Sequence, residues 1–311
     1  MSSSTPLKIG TRGSPLALAQ AHGVRDSLIA AHPGLTESDI AIEVFKTRGD
    51  KITDRKLLEI GGKGLFTEEI EEALRTGDLD MAVHSMKDMP TELPDGLEIP
   101  CLLERVDPRD VLIAREGTSI AELKEGATVG TASLRREAQL RHLRPDFNVV
   151  TFRGNVGTRL KKLEAGEADA TLLARAGLVR LGMTEVASAT LSIEEMMPAP
   201  AQGAIGVECR AEDNRIRELL APLNDTATTL CLAAERSLLA GLDGSCRTPI
   251  AAIATLDGET LHLRARLLAP DGSLCFATER LGGPNDGVML GRDAAAELRA
   301  RAGPDFIAAM A

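Results

Sequence analysis

Residues 7–21 read LKIGTRGSPLALAQA, and this stretch decides the class of fold. Residues 7–11 have the composition of a short strand, 12–14 make a turn, and a helix follows. The helix start is marked twice. Ser14 offers a hydroxyl to the unpaired N–H groups of the first turn, and Pro15 takes the first helical position, where it has no N–H to leave unpaired. Pro33-Gly34 then stops the helix. Strand, tight turn and capped helix, in that order, are the repeating unit of a parallel or mixed α/β sheet.

The same alternation continues outward. Ile40, Ile42 and Val44 alternate as a second strand, and the polar stretch 46–56 reads as a long loop. Gly61-Gly62-Lys63-Gly64 leads into a helix with Glu68 and Glu69 in its first turn. Residues 80–84 are the next strand, ending in the charged loop 85–90. A second α/β unit is expected from about 110 to 197, with strands at 149–152 and 168–174. Pro198-Ala199-Pro200 marks a return crossover before one more strand at 204–208. Past about 225 the style changes. A helix over 226–240, a loop over 241–249, hairpin turns at Asp257-Gly258 and Pro270-Asp271-Gly272, and an Ala/Arg-rich terminal helix make an α+β domain. Three domains are therefore expected: 1–104 with 199–222, then 105–198, then 223–311. No internal sequence repeat is visible.

A chain of 311 residues exceeds what a single core serves well. Apolar residues at 43% and charged residues at 26% are ordinary for a globular protein. No run reaches the ~20 apolar residues of a membrane helix, and Arg12 interrupts any signal-peptide-like stretch. A cytoplasmic monomer with no membrane partner is the expectation. The five cysteines show no metal-ligand spacing and make a poor disulfide framework, so no metal site is expected. Cys209, Cys231 and Cys275 lie in apolar or small-residue surroundings and read as buried. A net charge of −10 with no Trp and no Tyr argues against a nucleic-acid partner.

The charge is uneven, however. Residues 131–162 hold six arginines (Arg135, Arg136, Arg141, Arg144, Arg153, Arg159) and two lysines against Glu137 and Asp146, a local net of +6. A pocket for a polyanionic small molecule and a solvated basic helix face both fit that count.

Four polar clusters fall after strands, where α/β sheets bind ligands. They are Arg12 with Ser14; Ser85-Met86-Lys87-Asp88; Thr131 to Arg136, with Ser133 as an N-cap; and Arg153-Gly154-Asn155. Helix N-termini and forked guanidinium groups suit carboxylate or phosphate. Asp88 stands apart, since a carboxylate among cations repels an anionic ligand. It is either an ion-pair partner or a group that stabilises a cationic intermediate and manages protons. The run 61–64 is no Walker loop, because no Ser or Thr follows Lys63 at the required spacing. Cys246, in DGSCRTP (243–249), sits beside Arg247 in a loop where its thiol is a competent nucleophile. A bystander surface cysteine fits that spacing equally well.

The segments TRGSPLALAQ, GGKGLF, VHSMKDMPTELPDGL, ERVDPRD, VGTASLRREAQL, RGNVGTRLKKLEAGEADATLLA, AGLVRLG, QGAIGVECR and GSCRTPI, in that order, resemble the signature segments of hydroxymethylbilane synthases, also called porphobilinogen deaminases. The resemblance spans nearly the whole chain. It implies two α/β domains like those of type II periplasmic binding proteins, plus a small α+β third domain. It implies a transferase that condenses four porphobilinogen molecules head-to-tail, with loss of ammonia, onto a covalent dipyrromethane cofactor and releases 1-hydroxymethylbilane by hydrolysis. Cys246 would carry the cofactor through a thioether, and Asp88 would be the catalytic carboxylate. Cofactor contacts would come from Ser85, Lys87, Asp88, Thr131, Ser133, Arg135, Arg136 and Gly154. Substrate contacts would come from Arg12, Ser14, Gln20, Lys63, Arg153, Arg159, Arg180 and Gln202. The chain departs from the family pattern at Ala132, Ala201 and Arg247.

Two readings from other classes remain beside this one. A solute-binding-like anion receptor of the same two-domain fold would use the same arginines, and an acyl-transfer enzyme would use Cys246, though no His lies near it in sequence.

Overall fold

The computed structural model describes residues 6–47, 67–244 and 248–308. Lys63, Cys246 and Arg247, with most of the 46–56 loop, lie outside the described residues. The chain forms two compact units: the first takes the described residues up to Arg105 and then 204–229, the second 106–203 and everything from Leu230 onward.

The first unit holds a five-stranded sheet. Strand β1 (Leu7–Arg12) pairs in parallel with β2 (Ile40–Phe45) and with β3 (Met81–Ser85). Strand β10 (Ile205–Arg210) runs antiparallel between β3 and the edge strand β4 (Leu97–Leu102), giving the order β2-β1-β3-β10-β4. Helix α1 (Pro15–Ala31) starts as read: the Ser14 side chain accepts from the Ala17 N–H at 3.2 Å, and Pro15 opens the helix. Its buried face, Ala21, Val24 and Leu28, packs with Ile9, Met81, Val83 and Val207 on one side of the sheet. Helix α2 (Glu68–Thr76) covers the other side through Ile70 and Leu74, and Gly77 ends it in the left-handed conformation that glycine takes without strain.

The second unit repeats this arrangement with unrelated residues. Strands β6 (Thr128–Gly130), β7 (Asn148–Val150) and β8 (Ala170–Ala174) are parallel, β5 (Asp110–Ala114) is antiparallel to β8, and β9 (Ala189–Thr190) closes the order β7-β6-β8-β5-β9. Helix α3 (Leu134–Leu143), capped by Ser133, follows β6; α4 (Val156–Glu164), capped by Asn155, follows β7; α5 (Arg175–Leu181) follows β8. The duplication is one of topology alone, which is why no repeat shows in the sequence.

The remainder is α+β, as read. After α6 (Asn214–Leu220) of the first unit comes α7 (Thr226–Gly241). An antiparallel sheet β11 (Ile250–Asp257), β12 (Thr260–Leu268) and β13 (Cys275–Gly282) is then followed by α8 (Gly287–Ala302) and α9 (Pro304–Ala308). In β12, Leu261, Leu263, Ala265 and Leu267 face α7 and α8 in one core, while Arg264 and Arg266 alternate to the other face. Both hairpin turns fall where expected, with Gly258 at φ +55° and Gly272 at φ +77°.

Four strands of the two larger sheets, β4, β5, β6 and β9, escape a sequence reading. Strand β4 contains Pro100, which a strand tolerates at a sheet edge because proline lacks a ladder N–H. Strands β6 and β9 are three and two residues long, too short to alternate visibly. Cys101, Cys209 and Cys231 are buried, and Cys275 is half-buried.

Candidate active site

In the first unit, the C-terminal ends of β1 and β3 open into a cleft of about 70 Å³. It is lined by Arg12 and Ser14 after β1, Gln20 from α1, and Ser85 and Asp88 after β3, with Thr67 and His84. Parallel neighbours β1 and β3 end at the same level, so residues more than seventy positions apart meet there. Gln20 and Ser85 fasten the two sides: Gln20 Nε2 stands 2.8 Å from Ser85 Oγ. A short 3-10 turn, Met86–Asp88, buries Met86 and leaves Asp88 exposed. No described residue forms a hydrogen bond or ion pair with the Asp88 carboxylate. Among the described residues, then, it has no ion-pair partner. Lys87 is half-buried beside it.

In the second unit the arginine-rich segment sorts itself by partner. Arg141 pairs with Glu137 at 3.0 Å and Arg144 with Asp146 at 2.8 Å, so these two do belong to a solvated basic face. Arg135 and Arg136 turn inward onto Asp110 of β5, each at 2.8 Å. Arg136 also donates to Leu172 O, and Arg135 to Met197 O. Burial alone would raise the Asp110 carboxyl, but the two guanidinium groups and hydrogen bonds from Arg136 and Gln202 hold it well below the usual carboxylate range.

Arg153 and Arg159 are left without a carboxylate among the described residues. Arg159 donates from Nε to Gly154 O at 2.9 Å. Burial, then the positive charges of Arg136 and Arg153, pull the Arg159 guanidinium down to about 10. Arg159, with Arg136 and Arg153 near it at the N-termini of α3 and α4, makes a cationic socket suited to an anion. Thr131 Oγ1 accepts from the Ser133 N–H at 3.2 Å, and Ser133 accepts from the Arg136 N–H, which shapes the same turn. Gly154, at φ +119°, has no room for a Cβ, which would lie 2.7 Å from that of Thr158.

Two further candidates sit behind this socket. Gln202 is buried and donates to Pro108 O at 2.6 Å and to Asp110 Oδ1 at 2.8 Å. Arg180 donates to Gly203 O at 2.7 Å, and burial pulls it down to about 10. The sequence reading overlooked Asp110, the anchor of the arginine pair, and also His84 and Glu208, whose side chains meet beneath the cleft. The available signal was a charge inside an apolar strand, Glu208 in 204–209. Among the described residues no group of His, Cys, Asp and Glu is arranged to hold a metal ion, and no helix is long and apolar enough to cross a membrane.

The dipyrromethane that the sequence resemblance implies carries an acetate and a propionate on each ring. The residues fit it. Arg135 Nε and Arg136 Nε are buried donors with no hydrogen-bond partner, and Arg153 and Arg159 have no carboxylate of the described chain to neutralise them.

Residues 7–218 match the family described as "Porphobilinogen deaminase, dipyromethane cofactor binding domain", and residues 229–300 match "Porphobilinogen deaminase, C-terminal domain". The chain is 57% identical over 301 residues to the porphobilinogen deaminase of Paracoccus denitrificans (strain Pd 1222), covering 97% of this chain and 96% of that protein. It is 53% identical over 304 residues to the chloroplastic porphobilinogen deaminase of Oryza sativa subsp. japonica, covering 96% and 85% respectively. Among solved structures it is similar to a periplasmic substrate-binding protein of an ABC transporter from Coxiella burnetii, with a TM-score of 0.42, 15% identity and coverage of 74% and 96%. It is also similar to the VFT2 domain of Bordetella pertussis BvgS, with a TM-score of 0.41, 18% identity and coverage of 74% and 91%. Likenesses this loose carry no weight. The match to both family domains and the identity to the two curated relatives do: the chain belongs to the porphobilinogen deaminase family.

Proposed function

We infer that the chain condenses four porphobilinogen molecules head-to-tail, with loss of ammonia, onto a dipyrromethane cofactor and releases 1-hydroxymethylbilane, a transferase step of tetrapyrrole synthesis, and that Asp88 is its catalytic carboxylate. The observation that carries the role of Asp88 is its exposed carboxylate in a cleft with Arg12, Ser14, Gln20 and Ser85, unpaired among the described residues. An anion receptor accounts for the arginines and leaves that carboxylate without a purpose.

When bound, the dipyrromethane supplies the pyrrole to which the first substrate ring is joined. The chain's own residues bind, orient and move protons. Arg153, Arg159 and the N-termini of α3 and α4 receive acetate and propionate groups, with Thr131, Ser133 and Gly154 shaping the turn. Arg135 and Arg136, braced by Asp110, add positive field and their free Nε donors. Gln202 and Arg180 hold the backbone behind them. In the cleft, Arg12 with Ser14 takes a substrate carboxylate, while Gln20 fixes Ser85. Asp88, flanked by Lys87, stabilises cationic pyrrole species and accepts a proton at its carboxylate oxygen. Cys246 is the attachment point of the cofactor, and Lys63 is a further substrate contact. The three-domain division at 1–104 with 199–222, 105–198 and 223–311, a monomeric state and a cytoplasmic location complete the proposal.

The test combines mass and turnover. The purified protein should weigh more than its sequence by two linked pyrrole units, and Cys246→Ser should remove both the added mass and the activity. Asp88→Asn should keep the added mass and lose kcat by about 10²- to 10³-fold. Near-normal turnover in Asp88→Asn would return the residue to a bystander role.

A further inference from the structure

Beneath the Asp88 cleft lies a set of buried groups that the roles above leave unused. His84 Nε2 on β3 stands 2.8 Å from Glu208 Oε2 on β10, with the two side chains 5% and 0% exposed. Glu71 of α2 is buried within electrostatic reach of both. Glu71 Oε1 and Glu208 Oε1 are enclosed with no hydrogen-bond partner. The set also reaches the cleft wall, because His84 and Thr67 line it together with Arg12, Ser14, Gln20, Ser85 and Asp88.

Two enclosed carboxylates beside one imidazole do not all ionise, since a buried charge must be paired or neutralised. Burial pushes the Glu71 carboxyl up. The Thr67 hydroxyl opposes the rise, Glu208 adds to it, His84 opposes it, and Glu68 adds to it. The charged and titratable groups facing the set are therefore Glu68 from α2, His84 from β3 and Glu208 from β10, with Arg12 and Asp88 in the cleft.

The reaction requires a place for a proton. The substrate's aminomethyl group enters as an ammonium. Its C–N bond breaks and the electron pair leaves on ammonia. The methylene carbon then forms a C–C bond to the free α-carbon of the acceptor pyrrole, and that carbon's proton ends on the ammonia. Atoms and charge balance, and one proton passes from carbon to nitrogen in each cycle.

Building on the reading of Asp88 given above, we propose that Glu71, Glu208 and His84 share one held proton beneath the cleft and act as positioning residues that set the electrostatic field around Asp88. Asp88 touches the reacting atoms. The buried set acts through it, by the charge it presents at the His84 and Thr67 wall.

The test uses the cofactor-loaded enzyme and the variants Glu71→Gln, Glu208→Gln, His84→Gln and Asp88→Asn. Infrared spectra at neutral pH report a protonated carboxyl by its C=O stretch, without reference to turnover. Wild type should show this band, Glu71→Gln should lose it, and Asp88→Asn should keep it. The pH profile of kcat is the second readout. Glu208→Gln and His84→Gln should displace its limb by about one pH unit with KM for porphobilinogen nearly unchanged. A role in packing alone would lower the thermal midpoint and leave both the band and the limb as in wild type, and that result overturns the proposal. If the Gln variants do not fold, absence of the band in wild type overturns it equally. Near-normal turnover of Asp88→Asn with the band intact would instead sink the assignment of Asp88.

Discussion

The buried carboxylate of Glu235 accepts a hydrogen bond from the backbone N–H of Ala201, and so secures a residue held at φ +60°. Its second oxygen accepts from the Ala254 N–H at 2.7 Å. Ala201, one of the departures from the family pattern noted in the sequence, thus holds a left-handed backbone that glycine adopts without strain.

Ala201→Gly sets three effects against each other. Relief of left-handed strain favours glycine by ~1–2 kcal/mol. Loss of a buried methyl costs ~0.8 kcal/mol, and the freer unfolded chain costs ~0.5–1 kcal/mol. The sum predicts a change within about 0.8 kcal/mol, read as the midpoint in urea. Glu235→Gln turns an NH2 group toward a backbone N–H and should cost about 2–4 kcal/mol. A larger loss in Ala201→Gly than in Glu235→Gln would contradict this account.

Asp110→Asn should be among the most destabilising single changes in the second unit. It leaves Arg135 and Arg136 buried without their carboxylate, a loss of about 3–5 kcal/mol. The sign with pH follows from the lowered folded value. The stabilisation is fully present above the unfolded carboxyl near ~3.9 and is lost as pH falls toward the folded value. Wild type should therefore lose stability in acid more steeply than Asp110→Asn. Parallel acid limbs would contradict the pairing.

Arg153→Leu and Arg159→Leu remove charges that repel each other, whereas Arg141→Leu breaks the surface pair with Glu137. All three should keep the thermal midpoint of the fold within a few degrees. With limiting porphobilinogen, denaturing mass spectrometry of wild type and Arg141→Leu should show a ladder of up to four added rings. Arg153→Leu should stall at one rung. A ladder weakened evenly at every rung would make Arg153 a general binding charge instead.

Burial pushes the Cys101 and Cys209 thiols up to about 12. A thiol reagent at neutral pH should leave both unmodified in the native protein and label them only after unfolding. Rapid native labelling at either, located by peptide mass, would show that the sheet around them opens.

The elements announced by a hydroxyl cap or a glycine stop were legible in the sequence. Ser14 and Ser133 each cap the helix read from them, whereas Asn155, read only as part of a polar cluster, caps a helix the sequence reading did not name. The clustering of Arg12, Ser14, Gln20, Ser85 and Asp88 was legible as separate strand ends but not as one cleft, since only sheet order makes β1 and β3 neighbours. The arginines were legible as a charge excess and illegible one by one. Arg136 and Arg141 lie five positions apart on one helix, yet one is held by Asp110 and the other by Glu137. Strand β4 was hidden by Pro100, and Asp110 by its distance in sequence from the arginines it serves.

The place of β10 between β3 and β4 has a consequence for synthesis on the ribosome. Every strand of the second sheet, β5 to β9, lies between Asp110 and Thr190, so that sheet has all its partners before residue 205 is made. The first sheet, begun at Leu7, waits for Ile205–Arg210 with the facing edges of β3 and β4 unpaired. Long-range pairing of this kind forms late and leaves the nascent chain prone to wrong partners. Of the two larger sheets, the one that carries Asp88 is therefore the first to be begun and the last to be finished.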